Sequence, residues 1–173
     1  MLTATDLHII LPAATGGNID RFWRPLNDAM DEFTINSPVR QAAFLAQIGH
    51  ESGSLRYVRE LASGEAYEGR ADLGNTEPGD GIKFKGRGLL QITGRANYAE
   101  CGSVLGEDLI GTPELLELPE LASRSAGWFW STRNCNEFAD SGNFQKLTRR
   151  INGGLNGLAE REAIWKRAKE QLT

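Results

Sequence analysis

Apolar residues return every three or four positions along most of this chain, a spacing that predicts helices rather than strands. The clearest stretch is IDRFWRPLNDAMDEF, where Ile19, Phe22, Trp23, Leu26, Ala29, Met30 and Phe33 recur at helical steps. Asn18 is its expected cap, and Pro25 either kinks it or marks its true first turn. Before it, Thr3 or Thr5 caps a short helix through Ile10 that ends near Pro12. Ser37 followed by Pro38 is an N-cap with proline in the first turn. The helix it opens, VRQAAFLAQIGHES, is rich in small and apolar residues, so it should be central and buried on most sides, with Gly53 as its stop. Helical spacing returns at about 96–105, after Pro113, in PELASRSAGWFWSTRN, from Asn143 to Ile151, and in the terminal LAEREAIWKRAKEQL.

Between Ser63 and Arg87 the pattern dissolves into glycines and charges, which implies a long loop or a small hairpin lobe. Long irregular segments inside compact domains are often functional. The sum is a mainly α protein forming one domain over 1–173, with an irregular lobe at about 54–90. No repeat or linker is visible.

Composition narrows the partners. A net charge of −4 argues against nucleic acid, which calls for a basic face. No window approaches the roughly 18 apolar residues of a membrane span, and MLTATDLHIILPAATGG lacks the basic start and long apolar run of a secretory signal. Cys101 and Cys135 carry no metal-ligand spacing and read as two independent free thiols, as suits a protein made in the cytoplasm. No metal or organic cofactor is implied.

Candidate chemistry sits between Phe44 and Tyr98. Glu51 lies at the end of the central helix after an apolar run, where partial burial would suit a carboxyl that must hold its proton. Glu60 follows nine positions later, which on one continuous helix is roughly 900° of rotation and sets the two on opposite faces. The helix must end at Gly53 and the chain double back for both to flank one cleft. A polar strip with Gln91, Thr93 and Asn97 follows. Two carboxylates across a groove lined with amides and hydroxyls are what acid–base cleavage of a glycosidic bond needs. Taken alone, two glutamates at this spacing are more often solvated charges, and His50 alone reads as a core or helix-end histidine.

HESG, a second Glu nine residues on, GRGLLQITGRANY, and INGG with a downstream Arg resemble glycoside hydrolase family 19, and more narrowly its single-domain phage and prophage endolysins. The resemblance runs from about Pro38 to Leu172. It implies a lysozyme-like helical bundle with a small lobe across a cleft. It also implies Glu51 as general acid, Glu60 as general base and Thr93 as the hydroxyl that helps hold the attacking water. Gln91, Asn97 and Asn152 would bind sugar, and Arg161 would support the carboxylates, keeping Glu60 ionised while Glu51 stays protonated. The implied substrate is peptidoglycan, cut by one catalytic domain without an added wall-binding module; the alternatives are a chitinase acting on chitin or a non-catalytic wall-binding module. Further implications are a monomer and synthesis in a bacterial host's cytoplasm, with action on the wall once the membrane is permeabilised. The chain departs from the family in having Ser54 where a second glycine is usual, and Glu68 in YEGR stands in a context that resembles the plant members' second glutamate.

Other residues read as structure. Trp128, Phe129, Trp130, Trp165 and Trp23 are expected in the core. Tyr57 and Tyr98 are candidates for stacking on a sugar or closing the groove, and Tyr98 is counted with the substrate-binding residues. Arg87 is either an ion-pair partner or a ligand contact. Gly86 and Gly88 would let the backbone approach the sugar closely.

Overall fold

The computed structural model describes residues 1–173. It contains nine α-helices: α1 (Ala4–Ile10), α2 (Gly16–Glu32), α3 (Pro38–Glu51), α4 (Asp80–Lys83), α5 (Arg95–Leu105), α6 (Pro119–Thr132), α7 (Cys135–Asp140), α8 (Phe144–Asn152) and α9 (Leu158–Leu172). Short 3-10 turns occupy Glu65–Tyr67, Ala71–Leu73 and Pro113–Glu117. Strand pairing is confined to two isolated bridges, Arg59 to Arg87 and Arg87 to Ile92, so of the loop or hairpin lobe expected here the structure takes the loop form, with short helical turns along it.

The central helix owes its place to its residues. Ser37 caps α3 by accepting from the Arg40 amide, and Pro38 occupies the first turn. Every residue from Ala42 to Gly49 is buried, so the helix is wrapped rather than one-sided. Gly49 lets the end of α1 and α9 approach, because a Cβ there would lie 2.5 Å from Leu11 and 3.4 Å from Ile164. Phe44 meets Trp130 of α6 edge to face at 5.3 Å. α3 packs on α7, α8 and α9, while α2 packs along α6.

α6 serves two cores. Trp130 points into the larger one, which α1, α2, α3 and α9 share, and Trp128 points into a smaller one built with α5 and the Pro113–Glu117 turn. Cys135 and Cys101 divide between these cores as free thiols, and burial pushes each up to about 12. Trp165 stacks on Phe144 at 4.4 Å. No helix is long and apolar enough to cross a membrane.

The start of α2 differs from expectation, and two short helices are additional. Thr3 caps α1 in a capping box with Asp6, but α2 starts at Gly16 under a Thr15 cap instead of at Asn18, and Pro25 lies inside it. α3 ends as expected, with Ser52 as its cap and Gly53 just past it in the left-handed region, where the Gly53 and Ser54 amides donate to the His50 and Gly49 carbonyls at 3.1 and 2.7 Å. α7 and α4 were not legible as helices, being six and four residues long.

The lobe is pinned to α5 by Arg95, whose guanidinium grips both oxygens of buried Asp80 at 2.8 and 2.6 Å. That bidentate hydrogen bond, aided by the Glu77 amide, holds the Asp80 carboxyl below the usual aspartate range. A depressed folded value contributes stability that is complete above the ordinary aspartate value of about 4 and is lost as pH falls below it. Hydrogen exchange should therefore show the lobe losing protection before the bundle as the solution is acidified, and Asp80→Asn should loosen the lobe at neutral pH. In the bundle, Phe44→Ala should cost about 3–5 kcal/mol in chemical denaturation.

Candidate active site

The segment after α3 reverses sharply. Gly53, Ser54 and Leu55 all take left-handed backbone angles, with φ of 57°, 58° and 65°. For Ser54 and Leu55 that conformation costs roughly 1–2 kcal/mol each, offset here by burying the Leu55 side chain. Ser54 thus stands where glycine would be unstrained. The reversal carries the chain to Glu60, whose amide donates to the Gly86 carbonyl at 2.8 Å, while the Gly86 amide donates back to Glu60 Oε2 at 3.1 Å. The expected doubling-back is present.

Glu51 and Glu60 are held by different partners. Arg161 is completely buried and donates to Glu51 Oε1, to Gln47 Oε1 and, through Nε, to the Asn156 carbonyl at 3.0 Å. Glu51 itself is one-quarter exposed, and its Oε2 makes no protein hydrogen bond, so one oxygen is anchored and the other is free. Arg161 therefore supports Glu51 alone; the expectation that it would sit beside Glu60 is corrected. Glu60 Oε1 accepts instead from the Tyr67 hydroxyl at 2.9 Å. Burial and this bond push the Tyr67 phenol above its usual value, so it remains a donor across the neutral range.

Gln91 links the two sides. It lines a hollow of about 250 Å³ with Glu51, Leu90, Phe129, Ile151 and Asn152. A Cβ built on Gly86 would lie 2.3 Å from Gln91 Oε1 and 3.2 Å from Glu60 Oε2, so the Gln91 amide and the Glu60 carboxylate converge on Gly86. A second hollow of about 110 Å³, lined by Gln91, Thr93, Asn97, Phe129 and Arg133 among others, adjoins the first through Gln91 and Phe129. Asn97 donates to the Thr93 carbonyl at 2.7 Å, which leaves its Oδ1 free, and Asn152 Oδ1 is buried without a partner. Glu51, Gln91, Thr93, Asn97 and Asn152 thus meet along one groove, with Glu60 reached across Gly86. A larger hollow of about 430 Å³ beside Met1, Trp23 and Gln41 contains none of these residues.

Tyr98 does not belong to this groove. It is fully buried, donates to the Lys85 carbonyl at 2.6 Å and accepts from Arg87 at 3.1 Å, and burial drives its phenol well above the ordinary range. Its helical register on α5 turns it into the smaller core, away from Asn97. Arg87 is structural as well, bonded to Glu117 at 2.9 Å. Glu68 is occupied by the lobe, accepting from the Gly79 and Gly81 amides at 2.7 and 2.8 Å. His50 bonds to Glu160 at the helix end.

Phe129 runs against expectation: half-buried, it walls both hollows, because α6 carries Trp128 and Trp130 inward on either side of it. Tyr67 and Arg133 gave no motif signal. For Tyr67 the only hint was its position just before Glu68. No group of three or more His, Cys, Asp or Glu is arranged to hold a metal ion.

Gly86→Ala should displace the flexible Gln91 side chain without a backbone clash. We expect turnover to fall on the order of 100-fold, the usual effect of misplacing a site group by about 1 Å, with melting temperature nearly unchanged. Parallel kinetics and thermal denaturation check this.

The family model for glycoside hydrolase family 19, described as chitinase class I, matches residues 32–141. A glycosyl hydrolase family 19 domain-containing protein of Haemophilus influenzae is 32% identical over 197 residues, covering 96% of this chain and 94% of its own. An endochitinase of Arabidopsis thaliana is 40% identical over 114 residues, covering 65% of this chain, which spans only 39% of that enzyme's length. Chitinase C from Streptomyces griseus superposes with a TM-score of 0.80 at 22% identity, over 99% of this chain and 76% of that one, a likeness of fold.

Proposed function

The chain belongs to glycoside hydrolase family 19, and from that premise we propose that it is a lysozyme of the endolysin kind, hydrolysing β-1,4 bonds between N-acetylmuramic acid and N-acetylglucosamine by inversion. The observation that carries the reading is the placement of Glu51 and Glu60 on separate supports, with the Gln91 amide between them.

In this reading Glu51 donates its proton from Oε2 to the departing sugar oxygen, while Arg161 fixes Oε1. Glu60, steadied by Tyr67 and Gly86, takes a proton from the water that adds to the anomeric carbon, and Thr93 helps to orient that water. The two carboxylates make no bond to each other, which suits a single displacement with water between them. Gln91, Asn97 and Asn152 offer amide donors and acceptors for sugar hydroxyls and N-acetyl groups. The protein would be made in a bacterial host's cytoplasm, act as a monomer and reach the wall after the membrane is permeabilised.

Chitin cleavage is the second reading, favoured by the chitinase names of the Arabidopsis relative and the Streptomyces structure. Digesting Gram-negative peptidoglycan and chitin oligomers, with fragments read by mass spectrometry and reducing-end assay, separates the two. Reducing muropeptides from peptidoglycan support the lysozyme. Cleavage of chitin alone moves the protein to the second reading, and anhydro-sugar ends would mark a lytic transglycosylase. Glu51→Gln and Glu60→Gln should each lower turnover on the order of a thousandfold with the fold intact, whereas Glu68→Gln should keep most of the rate.

A further inference from the structure

Four cations gather where the groove leaves the bundle. Arg133 lies in the wall of the smaller hollow with its guanidinium 3.5 Å above the Phe129 ring. The Arg133 carbonyl accepts from Arg150 Nε at 3.2 Å, which couples the end of α6 to α8. On α8, Arg150, Arg149 and Lys146 surround a further hollow of about 470 Å³ against Phe138. α8 ends in Ile151 and Asn152, which line the Glu51 hollow, and Arg133 in the wall of the smaller hollow links these cations to the groove.

None of these four side chains forms an ion pair, although elsewhere Arg40, Arg87, Arg95, Arg124 and Arg161 each hold a carboxylate. Burial, together with the neighbouring charge of Arg150, holds the Arg133 guanidinium below its usual value, while Cys135 and Glu100 act the other way. The strip forms against the grain of a chain with net charge −4. Uncompensated guanidinium groups beside a polysaccharide groove fit planar carboxylates, which they bind in a fork. A polymer of N-acetylglucosamine alone has no charge to offer them.

We propose that Arg133, Lys146, Arg149 and Arg150 form a docking strip for the carboxylates of a peptide-bearing glycan strand lying in the groove, meaning the lactyl and stem-peptide groups of peptidoglycan. The inference rests on the peptidoglycan reading and deepens it. The neutral sugars are held by Gln91, Asn97 and Asn152, while the strip selects strands that carry acids at their side. Because its members on α8 are exposed, their attraction is screened by salt.

The test measures binding rather than cleavage, using full-length Glu51→Gln protein with and without Lys146→Gln, Arg149→Gln and Arg150→Gln. The probes are purified peptidoglycan sacculi, chitin, and vesicles containing anionic phospholipid. At about 0.01 M ionic strength, where charges reach roughly 30 Å, the triple substitution should weaken binding to sacculi about tenfold. The difference should vanish near 1 M salt, chitin binding should match in both proteins, and vesicles should bind neither. Equal binding of both proteins to sacculi at low salt, equal loss on chitin, or patch-dependent binding to vesicles would overturn the inference. A patch-dependent grip on sacculi together with no reducing ends from wild-type digestion would uphold the docking strip while refuting the lysozyme reaction, so the two failures are distinct.

Discussion

The buried guanidinium of Arg161 is the constraint on which the site depends. A fully buried cation is tolerable only with its donors satisfied, and here α3 supplies Gln47 and Glu51 while the turn before α9 supplies the Asn156 carbonyl. Gln47 extends the network to Thr148 of α8 at 3.0 Å. One side chain thus ties together three helices and fixes the carboxyl at the end of the first. Truncating Glu51 altogether would leave the buried Arg161 without compensation, at a cost of up to about 3–5 kcal/mol, whereas glutamine keeps an oxygen for it to bond. Glu51 is therefore as much a structural partner as a candidate acid, and its position is set by the bundle rather than by the lobe.

Glu60 is set by the lobe side. Its two oxygens are taken by Tyr67 and the Gly86 amide, neither of which contacts Arg161. Each carboxylate thus has its own support, and Gln91, whose φ of 37° is itself in the left-handed region, reaches toward both. Acid and base held by separate elements can have different environments, which is the requirement for dividing one reaction between two chemically alike groups.

Much of this was legible in the residues. The Ser37–Pro38 start, the long apolar run of α3 and the spacing of α2 and α9 follow from periodicity and caps, and the fold is the mainly α one they imply and the lysozyme-like one that the resemblance implies. Boundaries slipped where two caps competed, as with Thr15 and Asn18, or where Pro25 was carried inside a helix that packs along α6. The motif strip identified Gln91, Thr93 and Asn97 as neighbours, but Tyr98, one residue on, turns inward. On a helix one step rotates a side chain by about 100°. Arg161 was expected to support both carboxylates and reaches Glu51 alone, since which side chains α9 brings to the site depends on helix packing that local sequence does not encode. Phe129 and Arg133 were hidden for the same reason.

Two independently held carboxylates with water between them form the centre of the account, and the stereochemistry of the first product reports on that directly. Proton NMR recorded during the opening turnovers on a defined glycan oligomer shows which anomer is released before mutarotation mixes the two. The account predicts the α anomer, the product of one displacement at a β bond. Initial release of the β anomer would mean a retained configuration, and it would contradict the role assigned here to Glu60.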